Sequence, residues 1–142
     1  MRIADVLRNK GAAVVTINPE ATVTELLAGL AAHNIGAMVV VGPEGVVGIV
    51  SERDIVRQLH IHGASVLSRP VSKIMTPVVS TCCKNDTVDS LSVLMTQNRV
   101  RHVPVVENGK LIGIVSIGDV VKTRMEELEA EHAQLQSYIT RG

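Results

Sequence analysis

Apolar residues along the chain recur with two spacings, and these alternate twice. Residues 23–30 and 88–95 carry apolar side chains three or four positions apart, as one face of a helix requires, and each stretch follows a Thr suited to an N-cap. Residues 37–50 and 102–115 instead hold two apolar runs around a short turn, "GPEG" or "ENGK", which predicts a hairpin. A β-rich segment precedes each helix ("AAVVTI", "PVVSTC") and a second helix follows each hairpin, so the predicted order is β-α-β-β-α, twice.

The two halves repeat each other in sequence as well as in pattern. The phrase "GIVSERDIV" at 48–56 returns as "GIVSIGDVV" at 113–121, and the same shift of about 65 residues aligns Thr22 with Thr87 and Asp54 with Asp119. Neither half can cover a sheet of three strands alone, so the two sheets are expected to pack against each other about a pseudo-twofold axis. The predicted fold class is α/β (α+β), with two related clefts where the halves meet.

Length and composition narrow the functional classes. The chain of 142 residues suits one domain, or two small units that share a core, and its 14 basic residues balance 14 acidic ones. Zero net charge and an aromatic content of 1% disfavour nucleic-acid binding. No signal-peptide pattern is present, and no apolar run reaches the roughly 18 residues of a membrane span. We therefore expect a cytoplasmic protein with neither nucleic acid nor membrane as a partner.

The duplicated unit, the "GIVSxxD" phrase and "RHVPVV" at the second hairpin resemble a tandem cystathionine-β-synthase (CBS) domain pair, or Bateman module, of the stand-alone bacterial type. The resemblance implies CBS repeats at 1–62 and 73–124, a linker at 63–72 and a helical tail at 125–142. Such pairs are regulatory and bind adenosyl ligands between the repeats. The implied ligand is an adenine nucleotide, AMP first, with ADP, ATP, NAD(H) or S-adenosylmethionine as alternatives.

The chemistry of the repeated phrase agrees with that implication. Ser51 and Ser116 end a strand and begin a helix, and Asp54 and Asp119 follow three residues later. A hydroxyl, a carboxylate and free backbone N–H groups therefore converge at each helix N-terminus. A carboxylate can accept hydrogen bonds from both hydroxyls of a ribose, while the N–H groups suit a phosphate. The same Ser-x-x-Asp pattern is also a plain helix capping box, and that structural role stays open.

The resemblance also implies which residues build each cleft, because the Asp of one repeat works with strand residues of the other. The predicted Asp54 cleft consists of Ser51, Arg53, Asp54, Val78, Ser80, Val100, Arg101 and His102. The predicted Asp119 cleft consists of Ala13, Val15, Ile35, Gly36, Ala37, Ser116 and Asp119. Arg101-His102 aligns with Gly36-Ala37, so the cations favour phosphate recognition in the Asp54 cleft. An exposed Arg and a solvated His at a strand start are the alternative.

Catalysis, metal binding and redox sensing find little support in the sequence. No Gly-x-Ser-x-Gly elbow is present, and the serines at the helix starts have an acid rather than a base as partner. His60 and His62 face different directions on a helix end and His33 stands alone, which disfavours a metal site. Cys82 and Cys83 are adjacent, so we expect a strand pair with one side chain buried; a redox switch would need a thiol that reacts in the folded protein.

Beyond the second copy, apolar residues recur four and three positions apart, as in a coiled-coil seam. The positions are Val121, Met125, Leu128, Leu135 and Ile139, with His132 at the missing step. The stretch is shorter than about three heptads, so it is expected to clamp a homodimer or to fold back on its own domain.

These observations combine into one hypothesis about function. The protein is expected to be a non-enzymatic sensor whose ligand alters the packing of its repeats, and so a surface that an unidentified protein partner recognises. A dimeric structural adaptor with empty clefts and an S-adenosylmethionine sensor are the alternatives.

Overall fold

The computed structural model of the chain describes residues 1–11, 13–77 and 80–141. Its helices are α1 (Ile3–Lys10), α2 (Val23–His33), α3 (Glu52–His62), α4 (Val88–Asn98) and α5 (Ile117–Arg141). Its strands are β1 (Thr16–Ile17), β2 (Ala37–Gly42), β3 (Gly45–Ser51), β4 (Thr76–Pro77), β5 (His102–Glu107) and β6 (Lys110–Ser116). Short 3-10 segments at Gly63–Ser68 and Val71–Lys73 join the halves. The predicted mixed α/β fold with a C-terminal helical extension is confirmed.

Helices α2 and α4 begin and end in the same way in the two copies. The hydroxyl of Thr22 accepts a hydrogen bond from the backbone N–H of Glu25 at 3.2 Å, and that of Thr87 accepts one from Ser90 at 3.1 Å. Each side chain thereby satisfies a backbone donor that the first helical turn leaves unpaired. Both helices are followed by a residue in the left-handed conformation, Asn34 after α2 and Arg99 after α4. The predicted Thr caps are confirmed.

The strands form a four-stranded sheet in the order β1-β2-β3-β4 and a two-stranded sheet, β5-β6. This differs from the expected three strands in each half. β4 precedes the second copy in sequence but pairs antiparallel with β3 of the first copy, at Gly48 and Ile49. Further along the same segment, the backbone of Cys82 forms a parallel bridge to Val105 in the second hairpin. The residues leading into α4 are thus divided between two sheets, which ties the copies together.

Buried apolar side chains form two clusters, one in each copy, rather than the shared core expected from the length. Each cluster is completed by a segment that lies before the other copy in sequence. Helix α1 adds Ile3, Val6 and Leu7 to the cluster of the second copy. Val71 and Ile74 complete the cluster of the first copy. The copies therefore exchange their leading segments, and neither cluster is complete without the other half of the chain.

The exchanged segments make close contacts with the glycine of each repeated phrase, Gly48 and Gly113. A Cβ atom on Gly48 would lie 2.6 Å from Sδ of Met75 and 2.9 Å from the carbonyl oxygen of Thr76. A Cβ atom on Gly113 would lie 2.6 Å from Cδ2 of Leu7. Such distances are too short for van der Waals contact between heavy atoms, whose optimum is about 3.5–4.0 Å. Close packing thus explains why glycine occupies this position in both copies.

Helix α5 continues without a break from the second copy through the predicted tail. Its apolar side chains at Met125, Leu128, Leu135 and Ile139 are between 57% and 72% exposed. The tail therefore does not fold back onto the part of its own chain that the structure describes.

Candidate functional site

Asp54 lies in the first turn of α3, where its carboxylate and Ser51 cap each other. The backbone N–H and the hydroxyl of Ser51 donate to Oδ2 of Asp54 at 2.9 and 3.0 Å, and the backbone N–H of Asp54 donates to the Ser51 hydroxyl at 3.3 Å. This is the predicted capping box. The other carboxylate oxygen, Oδ1, accepts no hydrogen bond from any residue that the structure describes. Capping thus leaves one oxygen of Asp54 for a ligand.

The cleft beside Asp54 is a cavity of about 700 Å³ that both copies line. Small-molecule sites commonly enclose about 300–1,000 Å³. Seven of the residues predicted for this cleft line the cavity: Ser51, Arg53, Asp54, Ser80, Val100, Arg101 and His102. Val78, which was also predicted, lies outside the described residues. The structure therefore brings side chains from α3 and from the entry to β5 to one place.

Other lining residues were missed from the sequence. They are Ile49, Glu52, Arg57, Thr76, Pro77, Asn98 and Arg99, whereas Gly36, which also lines the cavity, was predicted for the Asp119 cleft. Arg57 was predictable from the sequence, because it lies one helical turn after Arg53 and therefore on the same face of α3. Thr76 and Pro77 were not predictable, because they reach the cavity only through the pairing of β4 with the sheet of the other copy.

The cavity is positively charged although the whole chain is neutral. Four arginines line it, against the carboxylates of Glu52 and Asp54. Burial lowers the pKa of His102 below its ordinary value of 6.5, and the positive charges of Lys10 and Arg101 lower it further against the opposing effect of Asp119. His102 therefore presents a neutral imidazole at neutral pH. The excess of guanidinium groups suits an anionic ligand.

One part of the cavity lining is apolar. Ile49 of β3, Pro77 of β4 and Val100 at the start of β5 contribute to it. Ligand sites typically combine such apolar surface with a few polar groups that fix orientation. The lining is thus able to hold a flat, uncharged ring together with a charged group.

Asp119 forms the same cap on α5 but has an additional partner. The backbone N–H of Ser116 donates to its Oδ2 at 2.9 Å, and the backbone N–H of Asp119 donates to the Ser116 hydroxyl at 3.2 Å. Nζ of Lys10 lies 2.6 Å from the same Oδ2. Partial burial acts to raise the pKa of Asp119, but the hydrogen bonds from Lys10 and Ser116 outweigh it and hold that pKa below its ordinary value.

The other residues predicted for the Asp119 cleft lie in several places. Ala13 is exposed, and Val15 packs against the core of the first copy. Ala37 pairs with Ser51 across β2 and β3. Gly36 lines the Asp54 cavity, and with Ile35 it also lines a shallow opening of about 500 Å³. Their joint role beside Asp119 stays a prediction.

The side chains considered for redox or metal chemistry are separated. Cys82 is buried, and burial, with smaller contributions from Asp86 and Cys83, raises its thiol pKa to about 12. Cys83 is exposed. Across residues 1–11, 13–77 and 80–141, no three His, Cys, Asp or Glu side chains come together as a metal site would need. Among the described helices, none is both long enough and apolar enough to cross a membrane.

The match to known proteins follows the internal repeat. The model of the CBS domain matches this chain twice, at residues 3–61 and 71–126. The chain belongs to the CBS-domain family. The CBS-domain containing protein ATU1752 from Agrobacterium tumefaciens resembles this CBS pair with a TM-score of 0.81 at 48% identity, over 87% of this chain and 92% of that one. CBS pairs are generally regulatory rather than catalytic, although some enzymes related to this chain carry CBS domains.

Two further CBS-pair structures contain adenosyl ligands. PAE2072 from Pyrobaculum aerophilum, in complex with AMP, has a TM-score of 0.74 at 31% identity, over 84% of this chain and 89% of that one. The CBS domain pair of MJ0100, in complex with 5′-methylthioadenosine and S-adenosyl-L-methionine, has a TM-score of 0.75 at 26% identity, over 87% of this chain and 98% of that one. Adenosyl ligands thus occur in proteins of the same fold and family.

Proposed function

We propose that this CBS pair is a regulatory sensor that binds an adenine nucleotide in the Asp54 cavity. The observation that carries the proposal is a single cavity of about 700 Å³ that combines a half-capped carboxylate, apolar surface and four arginines. Oδ1 of Asp54 would accept a ribose hydroxyl, Ile49, Pro77 and Val100 would contact the adenine, and the arginines would pair with phosphate. The AMP complex of PAE2072, at 31% identity, supports this assignment.

The arginines favour a nucleotide over S-adenosylmethionine. In S-adenosylmethionine a positively charged sulfonium replaces the 5′-phosphate oxygen, so cations nearby repel it and attract a phosphate. Arg99 strengthens the case, because it adds a fourth guanidinium group to the lining of the cavity. We therefore rank AMP first, with ADP, ATP and NAD(H) next.

A ligand in this cavity would contact both copies at once. Asp54 and Arg57 belong to α3 of the first copy, while Ser80, Val100 and Arg101 precede or enter β5 of the second. A ligand shifts the arrangement of two units only if it binds one arrangement more tightly. Occupancy would thus stabilise one packing of the repeats and alter the surface presented to a protein partner.

The first test measures ligand binding to the intact chain. We expect AMP to raise the melting temperature, since a ligand at 100 times its Kd adds about 2.7 kcal/mol to the free energy of unfolding. Adenosine should bind more weakly than AMP, and S-adenosylmethionine more weakly than either. If none of AMP, ADP, ATP, NAD(H) and S-adenosylmethionine raises the melting temperature at millimolar concentration, the chain is not a sensor of these ligands. The alternative hypothesis, a dimeric structural adaptor with empty clefts, is then favoured. Tighter binding of S-adenosylmethionine than of AMP would refute the ligand class.

A second test separates the phosphate and ribose contacts by calorimetry. Arg101→Ala should weaken AMP binding about tenfold or more, because a hydrogen bond to a charged group contributes about 1.5–3 kcal/mol, and should leave adenosine binding unchanged. Asp54→Asn keeps a capping oxygen but turns the other position into a donor, so it should weaken both ligands. Arg8→Ala, an exposed site on α1, is the control. Equal losses of AMP and adenosine in Arg101→Ala would argue against the phosphate role.

A further inference from the structure

Asp54 and Asp119 are equivalent in the repeat, but a lysine binds the carboxylate of Asp119. Nζ of Lys10 lies 2.6 Å from Oδ2 of Asp119 and donates to the backbone carbonyl of Ile114 at 2.8 Å. The side chains of Lys10 and Asp119 are 32% and 21% exposed, so the pair is partly shielded from water. No lysine that the structure describes makes such a contact with Asp54. The ammonium of Lys10 thus contacts both the cap of helix α5, at Asp119, and strand β6, at Ile114.

The lysine owes its position to three additional residues in the first copy. The close contacts of Leu7 with Gly113 and of Met75 with Gly48 mark Leu7 and Met75 as counterparts. Val15 lies eight positions after Leu7, whereas its counterpart Ser80 lies five positions after Met75. Helix α1 runs on through these extra residues and ends at Lys10, beside Asp119. The segment after Met75 instead enters β4, which pairs with β3.

The ion pair changes what the Asp119 carboxylate is able to bind. At Asp54 a ribose hydroxyl would meet a carboxylate oxygen that accepts no bond from the described residues. At Asp119 the corresponding oxygen, Oδ1, likewise accepts no bond from the described residues, but the ammonium of Lys10 on Oδ2 already balances the charge of the carboxylate. A hydrogen bond to an ionised acceptor is roughly twice as strong as one between neutral groups, and the ammonium offsets the negative charge on which that gain depends. A ligand that displaced Lys10 from Asp119 would also leave the ammonium with the Ile114 carbonyl but without a counter-charge in a partly buried position.

We propose that Lys10 neutralises the Asp119 carboxylate, thereby weakens ribose binding in the Asp119 cleft, and so restricts the protein to one nucleotide per chain, in the Asp54 cavity. The inference rests on the proposed function for its assignment of the aspartates to ribose. Lys10 would then determine how many sites bind a nucleotide, and α1 would have a role beyond the packing of Ile3, Val6 and Leu7.

The test counts AMP sites per chain by isothermal titration calorimetry. The parent is expected to bind one AMP, and Lys10→Met, which keeps the aliphatic stem and removes the charge, is expected to bind two. Adding Asp119→Asn to Lys10→Met should return the count to one. Lys122→Met, which removes an exposed lysine from α5, should leave it at one. A cooperative thermal transition shows that each variant is folded, and Lys10→Gln replaces Lys10→Met if that variant does not fold.

The outcomes separate this inference from the proposed function. If Lys10→Met still binds one AMP, or if the parent already binds two, the role of Lys10 is wrong while nucleotide binding stands. If the parent binds none but Lys10→Met gains one site that Asp119→Asn removes, the role of Lys10 is right and the Asp54 cavity is misassigned. If no variant binds AMP, both proposals are wrong.

Discussion

At the scale of residues, the surroundings of a repeated side chain decide what it does. Asp54 and Asp119 share the same cap, yet Lys10 neutralises Asp119 while Asp54 faces a cavity with four arginines. His102 lies between these environments. It lines the Asp54 cavity, and it pairs with Ser116 across β5 and β6, beside the cap of Asp119.

His102 provides a prediction about pH. Burial and nearby cations lower the pKa of His102 below 6.5 in the folded protein. At pH values between that lowered pKa and 6.5, His102 is therefore protonated more often in the unfolded chain than in the folded protein. The contribution of His102 to stability is therefore complete above about pH 6.5 and is lost as the pH falls through the folded-state pKa. We expect the free energy of unfolding in urea to fall between about pH 7.5 and about pH 5, and to fall less in His102→Gln.

The control for this measurement is His62→Gln, at an exposed position on α3. Its pH dependence should follow that of the parent. If His102→Gln also loses stability as steeply as the parent, His102 is not the group responsible.

At the scale of elements, the exchange of leading segments holds the two copies together. Helix α1 completes the core of the second copy, and the chain from Val71 to β4 covers the first. The two contacts differ in rigidity. Gly48 faces the backbone carbonyl of Thr76 as well as Met75, whereas the three nearest atoms to a Cβ on Gly113 all belong to the side chain of Leu7.

This difference predicts unequal effects of the same substitution. Gly48→Ala should lower the free energy of unfolding by about 1–3 kcal/mol, because a paired strand must shift to admit the methyl group. Gly113→Ala should cost less, because the Leu7 side chain is able to rotate. Thr76 and Pro77 line the cavity, so Gly48→Ala should also weaken AMP binding whereas Gly113→Ala should not. Equal losses of stability in urea, with equal AMP affinity, would contradict the rigid contact at β4.

At the scale of the whole molecule, apolar side chains remain uncovered on the outer helices. Val56 of α3 and its counterpart Val121 of α5 are 65% and 51% exposed, and the row continues along α5 to Ile139. An exposed apolar row with coiled-coil spacing is typical of a surface that pairs with another helix. We therefore expect the intact chain to form a homodimer in which α5 takes part.

Light scattering coupled to size-exclusion chromatography tests this expectation. The parent should have the mass of two chains, and Leu128→Glu combined with Leu135→Glu should have the mass of one, because charge on the row opposes its burial. The double variant should still bind AMP, since neither residue lines the Asp54 cavity. Glu129→Gln with Glu131→Gln, on the same helix, is the control. A monomeric parent, or an unchanged mass in the double leucine variant, would refute the role of α5.

Much of the fold was predictable because its signals are local. A Thr cap and apolar spacing define α2 and α4, and a Gly-containing turn between apolar runs defines each hairpin, so neighbouring residues suffice. The repeat also allowed residues of the clefts to be predicted, because alignment of the copies places Arg101 opposite Gly36 and Asp54 opposite Asp119. From these the sequence predicted Arg53 and Arg101 beside Asp54, and both line the cavity.

The sequence by itself thus determined the duplicated unit, its caps and the candidate residues of the Asp54 cavity. The tertiary structure decided the exchange of leading segments, the pairing of β4 with β3 and the contact between Lys10 and Asp119. Each of these joins residues far apart in the chain, so it depends on how the two copies pack and leaves no local pattern. The difference between the two aspartates is such a case, because the lysine that separates them lies 109 positions from Asp119.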